Sequence, residues 1–231
     1  MLNIVLIPAY KPDQRLVSLI RDLSKYEHLS FLVINNGNKK EYLNYFESIS
    51  IFKKVSILDI KSNKGKGFGI KKGLQYIESN LKNIQNIIFA DADGQHLPED
   101  INNITLKMQK FHEQNLLLVG NRQHNKLTPI KNLLANKFFN FFFKKKIKLQ
   151  INDSLCGLRA IKKNDINLCK NLKYNDFRFE VEMLMAYQIR NLRIYEQDIK
   201  SIYFRGTKST LSIADVLRLI QILFFFKIEI K

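Results

Sequence analysis

Ile87-Ile88-Phe89-Ala90-Asp91-Ala92-Asp93-Gly94-Gln95-His96 is the stretch on which the reading of this chain turns. An apolar run ends abruptly in two carboxylates one residue apart, with an amide beside them. Short apolar runs closed by turn formers read as buried strands, and loops at strand ends are where open α/β sheets place their ligands. Two like charges this close repel unless something cationic lies between them. Hard ions such as Mg²⁺ take one or two carboxylates and complete their shell with diphosphate oxygens and water. Asp91 and Asp93 therefore read as a metal-diphosphate site at a strand tip. The alternative is a solvated turn before a helix, with Pro98 in the first helical turn and acidic residues at its positive end.

Outward from this junction, the first 120 residues alternate short apolar runs with longer helical patterns. Strands are expected at Asn3–Ile7, Ser30–Ile34, Lys54–Leu58, Asn86–Ala90 and Leu116–Gly120. Helices are expected between them at Asp13–Tyr26, Lys39–Ser50, Phe68–Leu81 and Glu99–Gln114. That alternation implies βαβ units and a mostly parallel sheet covered on both faces. After Gly120 the rhythm changes. A polar loop, Asn121 to Pro129, leads to an aromatic-rich helix pattern at Ile130–Phe143 that runs into Lys144-Lys145-Lys146. A strand at Ser154–Ile161, a helix at Phe179–Arg190, a strand at Ile194–Tyr203 and a helix over the last twenty residues complete an α/β chain without a linker or an internal repeat.

The 231 residues carry a formal net charge of +17, with 45% hydrophobic and 26% charged residues. The composition is that of a globular domain, and the charge suits an anionic partner: nucleic acid, a bilayer or a phosphorylated substrate. No nucleic-acid recognition module is visible, so nucleic acid is set aside. Cys156 and Cys169 form no framework, which points to a reduced intracellular setting. The start reads as a strand with no leader pattern. The most apolar segment, Leu211 to Ile230, is broken by Asp215, Arg218, Lys227 and Glu229, so no spanning helix is expected.

Further segments would share the sheet edge with Asp91. Pro8-Ala9-Tyr10 ends the first strand and Asn35-Asn36-Gly37-Asn38 the second, where side-chain amides and backbone could hold a nucleotide base or simply form a turn. Asn63-Lys64-Gly65-Lys66-Gly67-Phe68-Gly69 follows the third strand and opens a helix. Its glycines would let backbone amides approach a phosphate, although the spacing is neither a Walker loop nor a Rossmann fingerprint. In the second half Arg122, Arg159, and Arg205 with Lys208 are cations that could meet the same cavity or sit solvated on the surface. Glu180 and Glu182 stand two apart on a helix and so face different ways. One is a candidate active-site acid or base, the other a structural partner.

Taken in order, Ile7-Pro8-Ala9-Tyr10-Lys11-Pro12-Asp13, Asn63-Lys64-Gly65-Lys66-Gly67, Asp91 to His96, Asp153 to Arg159 and Arg178-Phe179-Glu180-Val181-Glu182-Met183 resemble family 2 glycosyltransferases of the GT-A fold. Within that family the likeness is to polyprenyl-phosphate sugar transferases related to dolichol-phosphate mannose synthase. It covers nearly the whole chain and implies one domain over residues 1–231, with a nucleotide-sugar-binding half (1–120) and an acceptor-binding half (121–231). It further implies that Asp91 contacts the ribose or the metal, that Asp93 and Gln95 ligate Mg²⁺ or Mn²⁺, and that Pro8, Ala9 and Tyr10 line the base pocket. Lys66 would lie near the donor, a UDP- or GDP-linked sugar, and Arg122, Arg205 and Lys208 would grip phosphate. One departure stands out. The family's acidic pair after strand two is Asn35-Asn36 here, which removes about 1 kcal/mol from an expected charge-assisted bond to the base.

The expected reaction is metal-dependent, inverting transfer of the sugar to a polyprenyl phosphate. If the acceptor were instead a glycan hydroxyl, a carboxylate would have to take its proton, with Glu180, Glu182 and Asp153 as candidates. A catalytically retired nucleotide-sugar binder is the third alternative. Phe138-Phe139 and Phe141-Phe142-Phe143 before the lysine run, and Phe224-Phe225-Phe226 before Lys227, suit helices lying on an anionic membrane surface. The alternative is packing of these helices on the domain core or on a second subunit of a homo-oligomer, with the lysines solvated. The membrane alternative implies a peripheral protein on the cytoplasmic, inner face of the cell membrane.

Overall fold

A computed structural model describes residues 2–123, 128, 130–200, 218, 219, 221 and 222. Strands β1 (Leu2–Ala9), β2 (Leu29–Asn36), β3 (Val55–Ile60), β4 (Ile84–Phe89) and β5 (Leu116–Gln123) occur where apolar runs predict them. Between them lie α1 (Gln14–Leu23), α2 (Leu43–Ser50, after a 3-10 turn at Lys40–Tyr42), α3 (Lys66–Asn80) and α4 (Pro98–Lys110). The second half adds α5 (Ile130–Ile147), β6 (Arg159–Lys162), α6 (Ile166–Lys170), α7 (Arg178–Ile189) and β7 (Arg193–Lys200).

One sheet of seven strands, in the order β3-β2-β1-β4-β6-β5-β7, joins both halves of the chain. All pairings are parallel except those of β6, which runs antiparallel to β4 and to β5. The chain builds outward from β1 through β2 to β3, then returns to place β4 on the other side of β1. Above the ends of β1 and β4 the connections therefore diverge, leaving the crevice in which open α/β sheets hold ligands. Helices cover both faces, and Ile4 to Ile7 on β1 and Phe31 to Ile34 on β2 are buried throughout, without alternation. Gly73 brings α3 down onto the sheet, since a Cβ there would collide with Leu6.

Several boundaries differ from the sequence reading. Helix α3 begins two residues early, which makes Lys66 its first residue. Ser154 to Leu158 is a loop, and β6 starts only at Arg159. Cys156 and Leu158 of this loop are buried and the loop is tied down from within: Arg159 donates to the carbonyls of Ser154, Cys156 and Glu180. Helix α5 runs on through Lys144-Lys145-Lys146, whose charges suit the negative end of the helix. Beyond Lys200 most of the expected last strand residues and terminal helix lie outside the described residues; Arg218, Leu219, Gln221 and Ile222 are helical.

Candidate functional site

Parallel pairing of β1 with β4 carries Tyr10 and Asp91 to the same end of the sheet. Past β4 the chain must turn sharply, and Gly94, with φ +73°, supplies a left-handed conformation that other residues adopt at a cost. Asp93 Oδ1 accepts the backbone N–H of Gln95 at 3.0 Å and steadies the turn. Gly65, with φ +104°, does the same work before α3, and a Cβ there would strike the backbone of Asn175. Lys66, at the start of α3, therefore lies against both β4 and α7.

Its ammonium lies 2.5 Å from Asp91 Oδ1 and 2.6 Å from Glu180 Oε1. The other Asp91 oxygen is 3.3 Å from His96 Nε2. Burial alone would lower the Lys66 pKa, but the charges of Asp91 and Glu180 outweigh it and hold the ammonium above its ordinary value. Burial likewise opposes the Asp91 anion; the Lys66 charge and the His96 hydrogen bond overcome it and keep Asp91 well below the usual carboxylate range. Asp93 goes the other way, pushed up first by burial and then by the charge of Asp91. Neighbouring carboxylates thus divide: Asp91 is paired with Lys66, whereas Asp93 forms no salt bridge among the described residues.

That division bears on a metal. Among the described residues no three His, Cys, Asp or Glu side chains converge on one point. Protein ligands alone would supply only part of a coordination shell, from Asp93, Gln95 and an oxygen of Asp91. An incomplete set of hard oxygen donors fits an ion that keeps water and substrate phosphate. Asp93 is the carboxylate that such an ion would stabilise.

Two cavities meet here. A small one of about 70 Å³ is bordered by Gln95, His96, Arg122, Leu155, Gly157 and Glu180, among others. A groove of about 330 Å³ runs past Pro8, Tyr10, Arg15, Asn36 and Asn63, within the size range of small-molecule sites. Lys66, Asp91, Asp93 and Phe177 border both. In the small cavity Arg122 is held in a two-pronged bond to Asp153, with Nε 2.6 Å from Oδ2 and Nη2 2.8 Å from Oδ1.

Of the residues singled out from the sequence, Pro8, Tyr10, Asn36, Lys66, Asp91, Asp93, Gln95, Arg122 and Glu180 come together around these cavities. Ala9 is buried and its carbonyl accepts from the Asn38 side chain. The two asparagines separate. Asn35 donates to Asp59 and accepts from Asn38, so it is satisfied behind the groove. Asn36, in the groove wall, donates to the Gly65 carbonyl at 3.1 Å, which orients its amide and leaves Oδ1 buried without a partner among the described residues. Glu182 is elsewhere, accepting the backbone N–H groups of Lys173 and Tyr174. Arg159 is only 1% exposed and spends its donors on carbonyls, so it braces the Ser154–Leu158 loop and borders neither cavity. Arg205 and Lys208 lie outside the described residues.

Three site residues escaped the sequence reading. Arg15, paired with Asp13, lies along Gly94 and the groove. His96 closes the Asp91–His96 stretch without an expected role there; its Nε2 lies 3.3 Å from Asp91 Oδ2. Phe177 stands just before the Arg178–Met183 motif and carries no signal of its own.

Gly157 offers a test of the geometry. A Cβ there would come within 2.5 Å of Asp91 Oδ2 and 3.0 Å of Lys66 Nζ. Gly157→Ala is expected to displace the Asp91–Lys66 pair by about 1 Å and cut turnover about 100-fold. Steady-state rates on folded, soluble variant check this; a wild-type rate would mean that the pair does not act in turnover.

The sequence profile named Glycosyl transferase family 2 matches residues 4–168. A dolichyl-phosphate beta-glucosyltransferase of Dictyostelium discoideum is 26% identical over 226 residues, covering 88% of this chain and 67% of that protein. A UDP-N-acetylglucosamine–dolichyl-phosphate N-acetylglucosaminyltransferase of Methanococcus voltae is 24% identical over 217 residues, covering 86% and 85%. Among solved structures, glucosyl-3-phosphoglycerate synthase from Mycobacterium tuberculosis, in complex with Mn²⁺, UDP-glucose and phosphoglyceric acid, superposes with a TM-score of 0.72 at 12% identity, covering 96% of this chain and 78% of that one. At that identity the likeness is one of fold.

Proposed function

The chain belongs to glycosyl transferase family 2, and from that premise we propose that it transfers a sugar from a nucleoside-diphosphate donor to a polyprenyl phosphate, inverting the anomeric carbon. The observation that carries the acceptor class is the state of the carboxylates. Glu180 is matched by Lys66, Asp153 by Arg122, and Glu182 by two backbone N–H groups. A hydroxyl acceptor would need one of these three to take its proton, because Asp93, which has no salt-bridge partner among the described residues, is committed to the metal in this reading. A phosphate oxygen is already anionic and needs no such base. The Dictyostelium and Methanococcus relatives, both named for dolichyl phosphate, support the same class.

In this reading the nucleoside occupies the groove beside Pro8 and Tyr10, and the buried Asn36 Oδ1 accepts an N–H or O–H of the donor. That bond would relieve an acceptor that is costly to leave unpaired. Asp93, Gln95 and Asp91 would hold Mg²⁺ or Mn²⁺, which when bound supplies positive charge to the departing diphosphate. Arg122, braced by Asp153, meets the acceptor phosphate in the small cavity. An acceptor oxygen attacks the anomeric carbon, that carbon's bond to the diphosphate oxygen breaks, and the electron pair leaves with the nucleotide.

A lipid-borne phosphate calls for contact with a membrane. No described helix is long and apolar enough to cross one. On α5, Phe139, Phe142 and Phe143 face the core, while Ile130, Leu134, Phe138 and Phe141 form an exposed stripe that leads to Lys144, Lys145 and Lys146. Such a face, with cations at one end, suits peripheral attachment to the anionic inner leaflet. Donor consumption separates the alternatives. With undecaprenyl phosphate in anionic vesicles the protein is expected to release nucleoside diphosphate, and with free saccharides it is not. The opposite pattern would replace the lipid acceptor with a hydroxyl one. Nucleotide binding without turnover on either would mark a retired enzyme.

A further inference from the structure

The residues common to both cavities locate the transferred sugar. If the nucleotide lies in the groove and the acceptor phosphate near Arg122, the anomeric carbon must sit where the cavities meet, bordered by Lys66, Asp91, Asp93 and Phe177. Three of these carry charge and suit the hydroxyl and diphosphate sides of a glycosyl donor. The fourth is an apolar ring. A hexopyranose has a face of C–H groups, and an aromatic ring beside it buries apolar area on both partners.

Phe177 is also held in place. Arg178 is clasped by both Asp176 oxygens and lies 4.3 Å from the Tyr174 ring centre. Asn175 accepts the Phe68 N–H at 2.8 Å, and a Cβ at Gly67 would strike Phe179. This short turn is thus fixed against α3 on one side and α7 on the other. Phe177 itself is only half-buried and stacks on no other described aromatic ring. A large apolar group left uncovered beside three ionic side chains is explained if substrate covers it.

We infer that Phe177 is the platform on which the sugar ring of the donor rests, and so a residue that determines which sugar is transferred. This rests on the donor-groove reading above, and the experiment separates the two. Calorimetry with Mn²⁺ measures the wild type and Phe177→Ala, Phe177→Leu and Phe177→Tyr against matched pairs: UDP with UDP-glucose, and GDP with GDP-mannose. For whichever pair the wild type binds, Phe177→Ala is expected to weaken the nucleotide sugar about 10-fold while leaving the free nucleoside diphosphate within 2-fold. Tyrosine should restore the sugar term and leucine only part of it. A ring that served merely to shield the Lys66 ion pairs would weaken sugar and nucleotide alike, and that result overturns the platform. Equal binding of both ligands by Phe177→Ala and the wild type overturns it too. Absence of nucleotide binding in the wild type would remove the donor groove itself, and the platform with it.

Discussion

Asp93→Ala is expected to lower turnover by about 100- to 1,000-fold while leaving the apo protein at least as stable as the wild type. The rate effect follows from the loss of the carboxylate best placed to hold a divalent ion against the leaving diphosphate, and single electrostatic contributors of this kind are worth 10²–10³. The stability effect has the opposite sign from that of most buried replacements. Burial and the neighbouring Asp91 charge push the Asp93 pKa up. Its ionised form is therefore disfavoured by the fold and costs stability at neutral pH. Removing it relieves that repulsion. Added Mn²⁺ with nucleotide should raise the melting temperature of the wild type and not of Asp93→Ala. Wild-type turnover in the variant, or an equal metal-dependent shift in both proteins, would remove Asp93 from the metal site.

Lys66→Met is expected to do damage of another kind, costing roughly 3 kcal/mol, or about 10 °C in melting temperature, together with activity. The ammonium bridges Asp91 and Glu180, with side-chain exposures of 16%, 28% and 12% for the three groups. Without it two carboxylates face each other with no cation between them. A second change, Glu180→Gln, should recover part of the stability and none of the turnover, since Asp91 would still lack its counter-ion. Acid titration supplies the signature. Asp91 is held low in the folded protein, so its contribution is present above the unfolded-state pKa and is lost as pH falls toward the folded value. Urea melts of the wild type should therefore show stability falling as pH drops below about 4, and Lys66→Met should flatten that limb. A variant as stable as the wild type would show that the bridge contributes nothing.

Much of this arrangement is legible in the amino-acid sequence alone. The apolar run before Asp91, the glycine pattern around Lys66 and the alternation of short strands with helices are local signals, and each reports on its own backbone. What escaped notice depends on distant contacts. Ser154 to Leu158 has the burial of a strand but not the pairing, because the Arg159 guanidinium ties it down from inside. Arginine in a motif looks the same whether it reaches for phosphate or for three carbonyls. Phe177 gave no sign at all.

By itself, the amino-acid order determined the α/β layering, the strand-tip carboxylates and the family, because periodicity, turn residues and ordered motifs are properties of neighbouring positions. Which of several similar side chains face the crevice was settled by three-dimensional packing. It set Asn36 at the groove wall and Asn35 behind it, Glu180 against Lys66 and Glu182 against backbone, and Asp91 rather than Asp93 against the Lys66 ammonium. Such choices depend on burial and on partners far along the chain, and a side chain's local sequence carries no record of either.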